Sequence, residues 1–113
     1  MNADERRGAL EAVDRLVNVG GEADEVLRKV LAALHARGID YAAIRFVEEG
    51  TLVDGPSVGN GVVATAVPVV FQGRPVGELQ LSVQDQELAL RVATLVSAFV
   101  LVGWDTGGEP WVP

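Results

Sequence analysis

Hydrophobic residues near the start of the chain recur with the period of an α-helix. Between Glu22 and Arg37 they are spaced three and four positions apart, at Ala23, Val26, Leu27, Val30, Leu31 and Leu34. This spacing puts them on one side of a helix. Gly38 follows as a typical C-terminal cap, and the segment from Asp4 to Val17 has a similar stripe. The pattern predicts two amphipathic helices in the first third of the chain.

The hydrophobic period changes to two residues between Tyr41 and Val83, and Gly, Pro and Asn interrupt it. This pattern is typical of antiparallel strands joined by tight turns. The predicted strands are Tyr41–Glu48, Thr51–Asp54, Val62–Phe71 and Pro75–Val83. The predicted turns lie at Glu49-Gly50, Asn60-Gly61 and Gln72-Gly73. Because Pro68 cannot donate a ladder hydrogen bond, we expect its strand at a sheet edge or at a bulge.

The last predicted helix, Leu88 to Val102, is apolar on nearly every side. Asp85 is expected to cap its start, and Gly103 is expected to end it. Only Thr94 and Ser97 interrupt the C-terminal part of the helix, so one domain cannot bury all its faces. The apolar run is shorter than the roughly 18 residues that span a bilayer. We therefore expect a homodimer interface through Leu88, Val92, Leu95, Val96, Phe99 and Val100.

Composition narrows the range of partners and compartments. The 113 residues include nine basic and sixteen acidic side chains, a formal charge of −7, which opposes binding to nucleic acids and to anionic membranes. There is no cysteine, so the chain has neither disulfides nor thiol chemistry of its own. The first twenty residues lack the apolar core of a signal peptide. The expected location is the cytoplasm.

No catalytic, metal or cofactor site is predicted from the residues. His35 is the one histidine, and no cluster of metal ligands at suitable spacing accompanies it. The glycine-rich stretch Gly55 to Gly61 is expected to be a loop, since it lacks the Lys-Ser/Thr pair of a phosphate cradle. We therefore expect no enzyme activity. An enzyme working through carboxylates such as Asp54 and Glu78 is a weaker alternative.

The strand faces offer one candidate site for a small molecule. Tyr41 and Arg45 share one face of the first strand, and Glu78 and Gln80 share a face of the last. If these strands are neighbours, Arg45 faces Glu78 or Gln80. The result is either a ligand-binding floor or a solvated face with a cross-strand ion pair. Both interpretations stay open.

The order of predicted elements, which is helix, helix, strands and long helix, resembles that of the GAF domain family. Three stretches of sequence carry the same resemblance. They are Tyr41-Ala42-Ala43-Ile44-Arg45-Phe46-Val47-Glu48, the segment from Val67-Pro68-Val69 to Gly73-Arg74-Pro75-Val76-Gly77-Glu78-Leu79-Gln80-Leu81, and the last helix with Leu88, Leu90, Val92-Ala93 and Leu95-Val96. The resemblance covers about Glu22 to Val102. It rests on turn and core residues rather than on catalytic residues.

The resemblance implies an α+β fold of the GAF, PAS and profilin-like kind, with a central antiparallel sheet and the N- and C-terminal helices on one face. A ligand pocket, where the family has one, lies on the other face, and the same helices commonly pair across a dimer. The short connection from Gly55 to Gly61 leaves little chain to roof such a pocket. The absence of cysteine removes the bilin attachment and thiol-based methionine sulfoxide reductase activity of some relatives.

We therefore expect one GAF-like domain over residues 1–113, with an N-terminal helix in 1–20, a core in 22–102 and a tail in 103–113. The expected function is non-enzymatic regulation or sensing, with a homodimer through the helices and an unidentified small molecule on the Tyr41, Arg45, Glu78 and Gln80 face. The alternative is a protein-interaction module without a ligand. In the tail, Trp104 and Trp111 serve either to stack on a partner or to cover the core.

Overall fold

The computed structural model describes residues 1–106, with side chains for residues 1–102. Three helices and four strands occur in this part of the chain, which confirms the α+β class. In chain order they are α1 (Ala3–Val19), α2 (Ala23–Ala36), β1 (Tyr41–Glu48), β2 (Thr51–Gly59), β3 (Thr65–Phe71), β4 (Arg74–Leu81) and α3 (Gln86–Thr106). Trp111 lies outside the described residues.

The four strands form one antiparallel sheet in the order β2-β1-β4-β3. Pro68 lies in the edge strand β3, as its missing N–H requires. The turns at Glu49-Gly50 and Gln72-Gly73 are confirmed, and all four residues have positive φ angles. This is the conformation of the two-residue hairpin turns that match the twist of the strands.

The glycine-rich stretch is not the loop that its composition suggests. β2 continues from Asp54 to Gly59. Ser57 pairs with Ala43 of β1, and the register of the two strands shifts between Ala43 and Arg45. A Cβ on Gly55 would lie 2.5 Å from the carbonyl oxygen of Ile44, so this glycine permits a close approach of two backbones. The prediction of a loop over residues 55–59 was therefore wrong.

Residues 60–64, which we name the connecting segment, join the two edges of the sheet. Asn60-Gly61 was predicted to be a hairpin turn, but it begins this segment, and β3 starts at Thr65 rather than Val62. The connecting segment is held by hydrogen bonds from Asn60 N to Asp40 O and from Ala64 N to Leu81 O. Between these anchors, the side chain of Val62 is 86% exposed.

One face of the sheet and the inner sides of α2 and α3 enclose the core. Its largest fully buried side chains include Leu27, Leu31, Leu34, Ile39, Ile44, Leu79, Leu81 and Leu88. Burying a leucine or isoleucine side chain contributes about 1.5–3 kcal/mol, so this layer dominates the stability of the fold. The helix α1 packs against α2 and α3. It buries Ala9 and Val13 completely.

The helix α3 differs from its prediction at one end only. Asp85 caps its start as expected, because the Leu88 N–H donates to Asp85 Oδ1 at 3.0 Å. Gly103 does not end it, since the helix continues to Thr106. A single glycine costs a helix only about 1 kcal/mol, and the helical hydrogen bonds on either side outweigh that cost.

A buried polar cluster ties the start of α3 to two other elements. Arg6 Nε of α1 lies 3.2 and 3.0 Å from the two carboxylate oxygens of Asp85, whose side chain is 4% exposed. The Asp85 N–H is shared between Thr65 Oγ1 and Val83 O, each at 3.2 Å. We name Arg6, Thr65 and Asp85 the Asp85 junction.

Two glycine-to-alanine substitutions are expected to change stability in opposite directions. In Gly77→Ala, the new Cβ would clash with Arg45 O and lie 2.8 Å from Val100 Cγ1, which should cost about 1–3 kcal/mol by overpacking. In Gly8→Ala, the near atom is the flexible end of Arg37, and the better helix former should add about 0.5–1 kcal/mol. Urea denaturation of both variants measures these changes, and a neutral Gly77→Ala would contradict the close helix-to-sheet contact.

Candidate functional site

The sheet face away from the helices, which we name the open face, carries all four predicted ligand-binding residues. β1 pairs with β4, so Arg45 lies opposite Glu78, while Ala43 lies opposite Gln80. On the other side of β1, Arg45 lies opposite Asp54 and Tyr41 lies opposite Gly59. We predicted that Arg45 faces Glu78 or Gln80 if these strands are neighbours; the strands are neighbours, and the partner is Glu78.

Arg45 is the centre of a charged row across three strands. Its Nη1 lies 3.8 Å from Glu78 Oε1, its Nε lies 3.4 Å from Asp54 Oδ1, and its Nη2 donates to Leu52 O at 3.4 Å. Nε is shielded from solvent and makes no geometrically acceptable hydrogen bond, so its link to Asp54 is electrostatic only. The row therefore combines one cation with two carboxylates.

Gln80 and Tyr41 continue the polar surface beyond the charged row. Gln80 Nε2 donates to Glu78 Oε1 at 2.7 Å, which orients the carboxylate that faces Arg45. The backbone N–H of Tyr41 donates to Ser82 Oγ at 2.9 Å. Both Tyr41 and Gln80 are half-buried. These contacts fix the Glu78 carboxylate between Arg45 and Gln80 and the start of β1 against Ser82.

The connecting segment borders the open face at the Tyr41 end. A Cβ built on Gly61 would lie 3.2 Å from Tyr41 Cβ and 3.3 Å from Ser82 Cβ. Tyr41 and Ser82 carry their side chains on the open face, because they alternate with core residues along β1 and β4. The connecting segment therefore passes over this end of the face.

The helical side of the molecule carries a groove between α1 and α3, of about 720 Å³. Leu10 of α1 and Leu90 and Leu95 of α3 supply its apolar lining, and Arg6 and Glu87 are among its charged residues. Sequence reasoning missed this groove because its two walls are more than seventy positions apart in the chain. None of the four open-face residues lines it.

The structure separates the six predicted interface residues of α3 into two groups. Leu88, Val92, Val96 and Val100 are fully buried in the core of the single chain, so they offer no surface to a second copy in this arrangement. Leu95 and Phe99 are half-buried and retain surface. Leu90 is 45% exposed and Ala98 is exposed. Sequence periodicity could not separate the groups because nearly every position is apolar.

Two further kinds of site are not found in the part of the chain that the structure describes. Among the described side chains, those of residues 1–102, no group of three or more His, Cys, Asp and Glu could hold a metal ion. Within the described backbone, residues 1–106, no helix combines the length and the apolar character needed to cross a membrane. His35 lies near the end of α2, and its Nδ1 is 3.0 Å from Ile39 O.

Comparison with known proteins places the fold. Neither a protein-family model nor a curated protein sequence matches the chain. The structure is similar to the GAF domain of an Acinetobacter phosphoenolpyruvate-protein phosphotransferase, with a TM-score of 0.70 and 11% identity, covering 97% of this chain and 100% of that one. It is also similar to the free methionine-R-sulfoxide reductase of Neisseria meningitidis in complex with its substrate, with a TM-score of 0.70 and 16% identity, covering 93% and 95% of the two chains.

These similarities define the class of protein. The chain has a GAF-like fold, with an antiparallel sheet and helices on one face, as the resemblance in sequence implied. At 11% and 16% identity, the comparisons establish the fold alone.

Removing the two carboxylates of the charged row should have unequal effects on stability. Glu78→Gln should lower the free energy of unfolding by about 1 kcal/mol, because Glu78 is only 24% exposed and contacts both Arg45 and Gln80. Asp54→Asn should change it by less than about 0.5 kcal/mol, because Asp54 is 95% exposed. Urea denaturation at low and high salt measures both effects. Equal losses would mean that Asp54 is held more firmly than its exposure indicates.

Proposed function

We propose that this chain is a non-enzymatic regulatory or sensory GAF-like domain that dimerises through its terminal helices and binds a small molecule on the open face. The observation that carries the proposal is the apolar surface that α3 leaves uncovered. Leu90 and Ala98 are exposed, and Leu95 and Phe99 retain part of their surface. An apolar surface flanked by a groove is typical of a protein interface.

The sheet edges are poor alternatives for self-association. Pro68 interrupts the row of N–H donors on β3. On β2, Pro56 and the shift in register near Gly55 interrupt the other edge. Proline and bulges on edge strands oppose pairing with a second sheet. The outer helix surface is therefore the better candidate for contact between two copies.

Light scattering on the purified chain tests the dimer. We expect a mass near twice the 11.9 kDa of one chain. Leu90→Glu and Ala98→Glu should each return it to one chain, because a carboxylate buried in the interface would lack a partner. Val70→Glu is the matched control, since Val70 is also 45% exposed but lies on β3. A single-chain mass for the unmodified protein would exclude the dimer.

The open face supports the ligand-binding part of the proposal. It presents Arg45, two carboxylates, the amide of Gln80 and the phenol of Tyr41 on a rigid sheet. Such convergent polar groups fix the orientation of a small molecule. The neighbouring reductase structure holds its own substrate, which shows that a chain of similar fold can bind a small molecule. Because this chain has no cysteine, we expect binding here without thiol chemistry.

A thermal-shift screen with small metabolites tests the open face. A ligand present at one hundred times its Kd should add about 2.7 kcal/mol to the free energy of unfolding. Arg45→Gln and Glu78→Gln should remove that gain, whereas Glu11→Gln on the exposed side of α1 should keep it. Hits whose stabilisation survives both open-face substitutions would place the ligand elsewhere.

The groove between α1 and α3 favours a second candidate, a protein-interaction module without a ligand. Its leucines and mixed charges suit the apolar side of an amphipathic helix from another protein. Under this alternative the purified chain is monomeric, and Leu90→Glu does not alter its mass. The same light-scattering experiment therefore separates the two functions.

A further inference from the structure

The Asp85 junction connects the border of the open face to the terminal helices, the two regions to which we assign ligand binding and dimerisation. Thr65 directly follows the connecting segment that borders the open face, and Arg6 belongs to α1 on the helical side. We propose that the junction couples the position of the connecting segment to the docking of α1. The inference rests on the proposed function, because it assigns regulation to the open face and its effect to the terminal helices.

The input end of this coupling is the connecting segment. Gly61, Val62 and Val63 make no backbone hydrogen bond within the described structure, while their neighbours Asn60 and Ala64 are anchored. Val62 is 86% exposed and Val63 is 39% exposed. A molecule on the open face near Tyr41 would meet this segment first, since Gly61 lies against the Cβ atoms of Tyr41 and Ser82. Ala64 links the segment to Thr65, so a displacement that breaks the hydrogen bond from Ala64 N to Leu81 O also moves Thr65.

A chain of hydrogen bonds links the connecting segment to α1. Thr65 Oγ1 donates to Val83 O at 2.8 Å and accepts from the Asp85 N–H at 3.2 Å. The Asp85 carboxylate accepts from the Leu88 N–H at 3.0 Å and from Arg6 Nε. Because Asp85 is buried, water cannot replace a lost partner without cost. Movement of Thr65 therefore changes the position of the group that holds Arg6.

The output end is α1, which the Asp85 junction ties to the start of α3. It buries only Ala9 and Val13 completely among its seventeen residues, and the groove leaves part of its contact with α3 open. Gly20 and Gly21, both at positive φ, separate it from α2. Arg6 also lies 3.7 Å from Glu87, and Leu10, Leu16 and Val17 pack partly against the core. The pair of Arg6 and Asp85 is the α1 contact that leads on to Thr65 and the connecting segment, so a change in this pair changes how firmly the N-terminal part of α1 is docked.

Hydrogen exchange of the α1 amides in the full chain tests the coupling without a ligand. Thr65→Val removes the hydroxyl group, and we expect α1 protection to fall about fivefold although Thr65 does not belong to α1. Arg6→Gln should lower it tenfold or more, because this bond involves a charge. The double variant should be no less protected than Arg6→Gln alone. Thr65→Ser keeps a hydroxyl group and should restore protection to within twofold.

The connecting segment itself is probed by Gly61→Ala. The added methyl group must push the segment away from Tyr41 and Ser82 by a few tenths of an ångström. We expect α1 exchange to change at least twofold in this variant, and to show no further change when Gly61→Ala is added to Thr65→Val. Thr51→Val is the control, since Thr51 is exposed and lies on β2 at the opposite edge of the sheet from β3.

Two results would overturn the coupling. One is a Thr65→Val variant that folds but keeps α1 protection within twofold of the unmodified chain. The other is a double variant whose loss equals the product of the two single losses, which would show that Thr65 and Arg6 act independently. The mass measured by light scattering is a separate observation, so a failed dimer and a failed coupling can be told apart.

Discussion

The fold depends on a sheet that carries its large buried side chains on one face. Along β1 and β4, core residues such as Ile44 and Leu79 alternate with Arg45 and Glu78. This alternation requires α2 and α3 to lie on the same side, because that face carries the large apolar side chains to be buried. The other face carries the charged row on β1, β2 and β4 and the exposed side chains of Ala66, Pro68 and Val70 on β3. Both candidate binding surfaces follow from this asymmetry. One is the outer surface of the helices, and the other is the open face of the sheet, which no helix covers.

Features set by neighbours in sequence were predictable. The hairpin turns at Glu49-Gly50 and Gln72-Gly73, the cap at Asp85 and the edge position of Pro68 each follow from a local backbone requirement. The boundaries of β1 were also predicted as the structure has them. The four open-face residues could be grouped because strand periodicity assigns each side chain to a face.

Features set by distant contacts were not predictable. Gly55 and Pro56 indicate a loop by composition, but pairing with β1 keeps them in a strand. Asp85, the partner of Arg6, is 79 positions away in the chain, and no local sequence pattern predicts this pair. The apolar composition of α3 concealed which side the sheet would bury. In each case the deciding partner lies on another element, so propensity and periodicity alone were insufficient.

The long separation between Arg6 and Asp85 also constrains the order in which the molecule assembles. The two hairpins close over two-residue turns and can form quickly, whereas the pairing of β1 with β4 must close a much longer loop. The helix α1 has its charged partner only after that closure, because Asp85 follows β4. During synthesis, α1 can therefore pack on α2 early, but it gains its ion pair with Asp85 and its contact with α3 only at the end. The side of α1 that faces α3 stays accessible to other molecules until the whole sheet has been made.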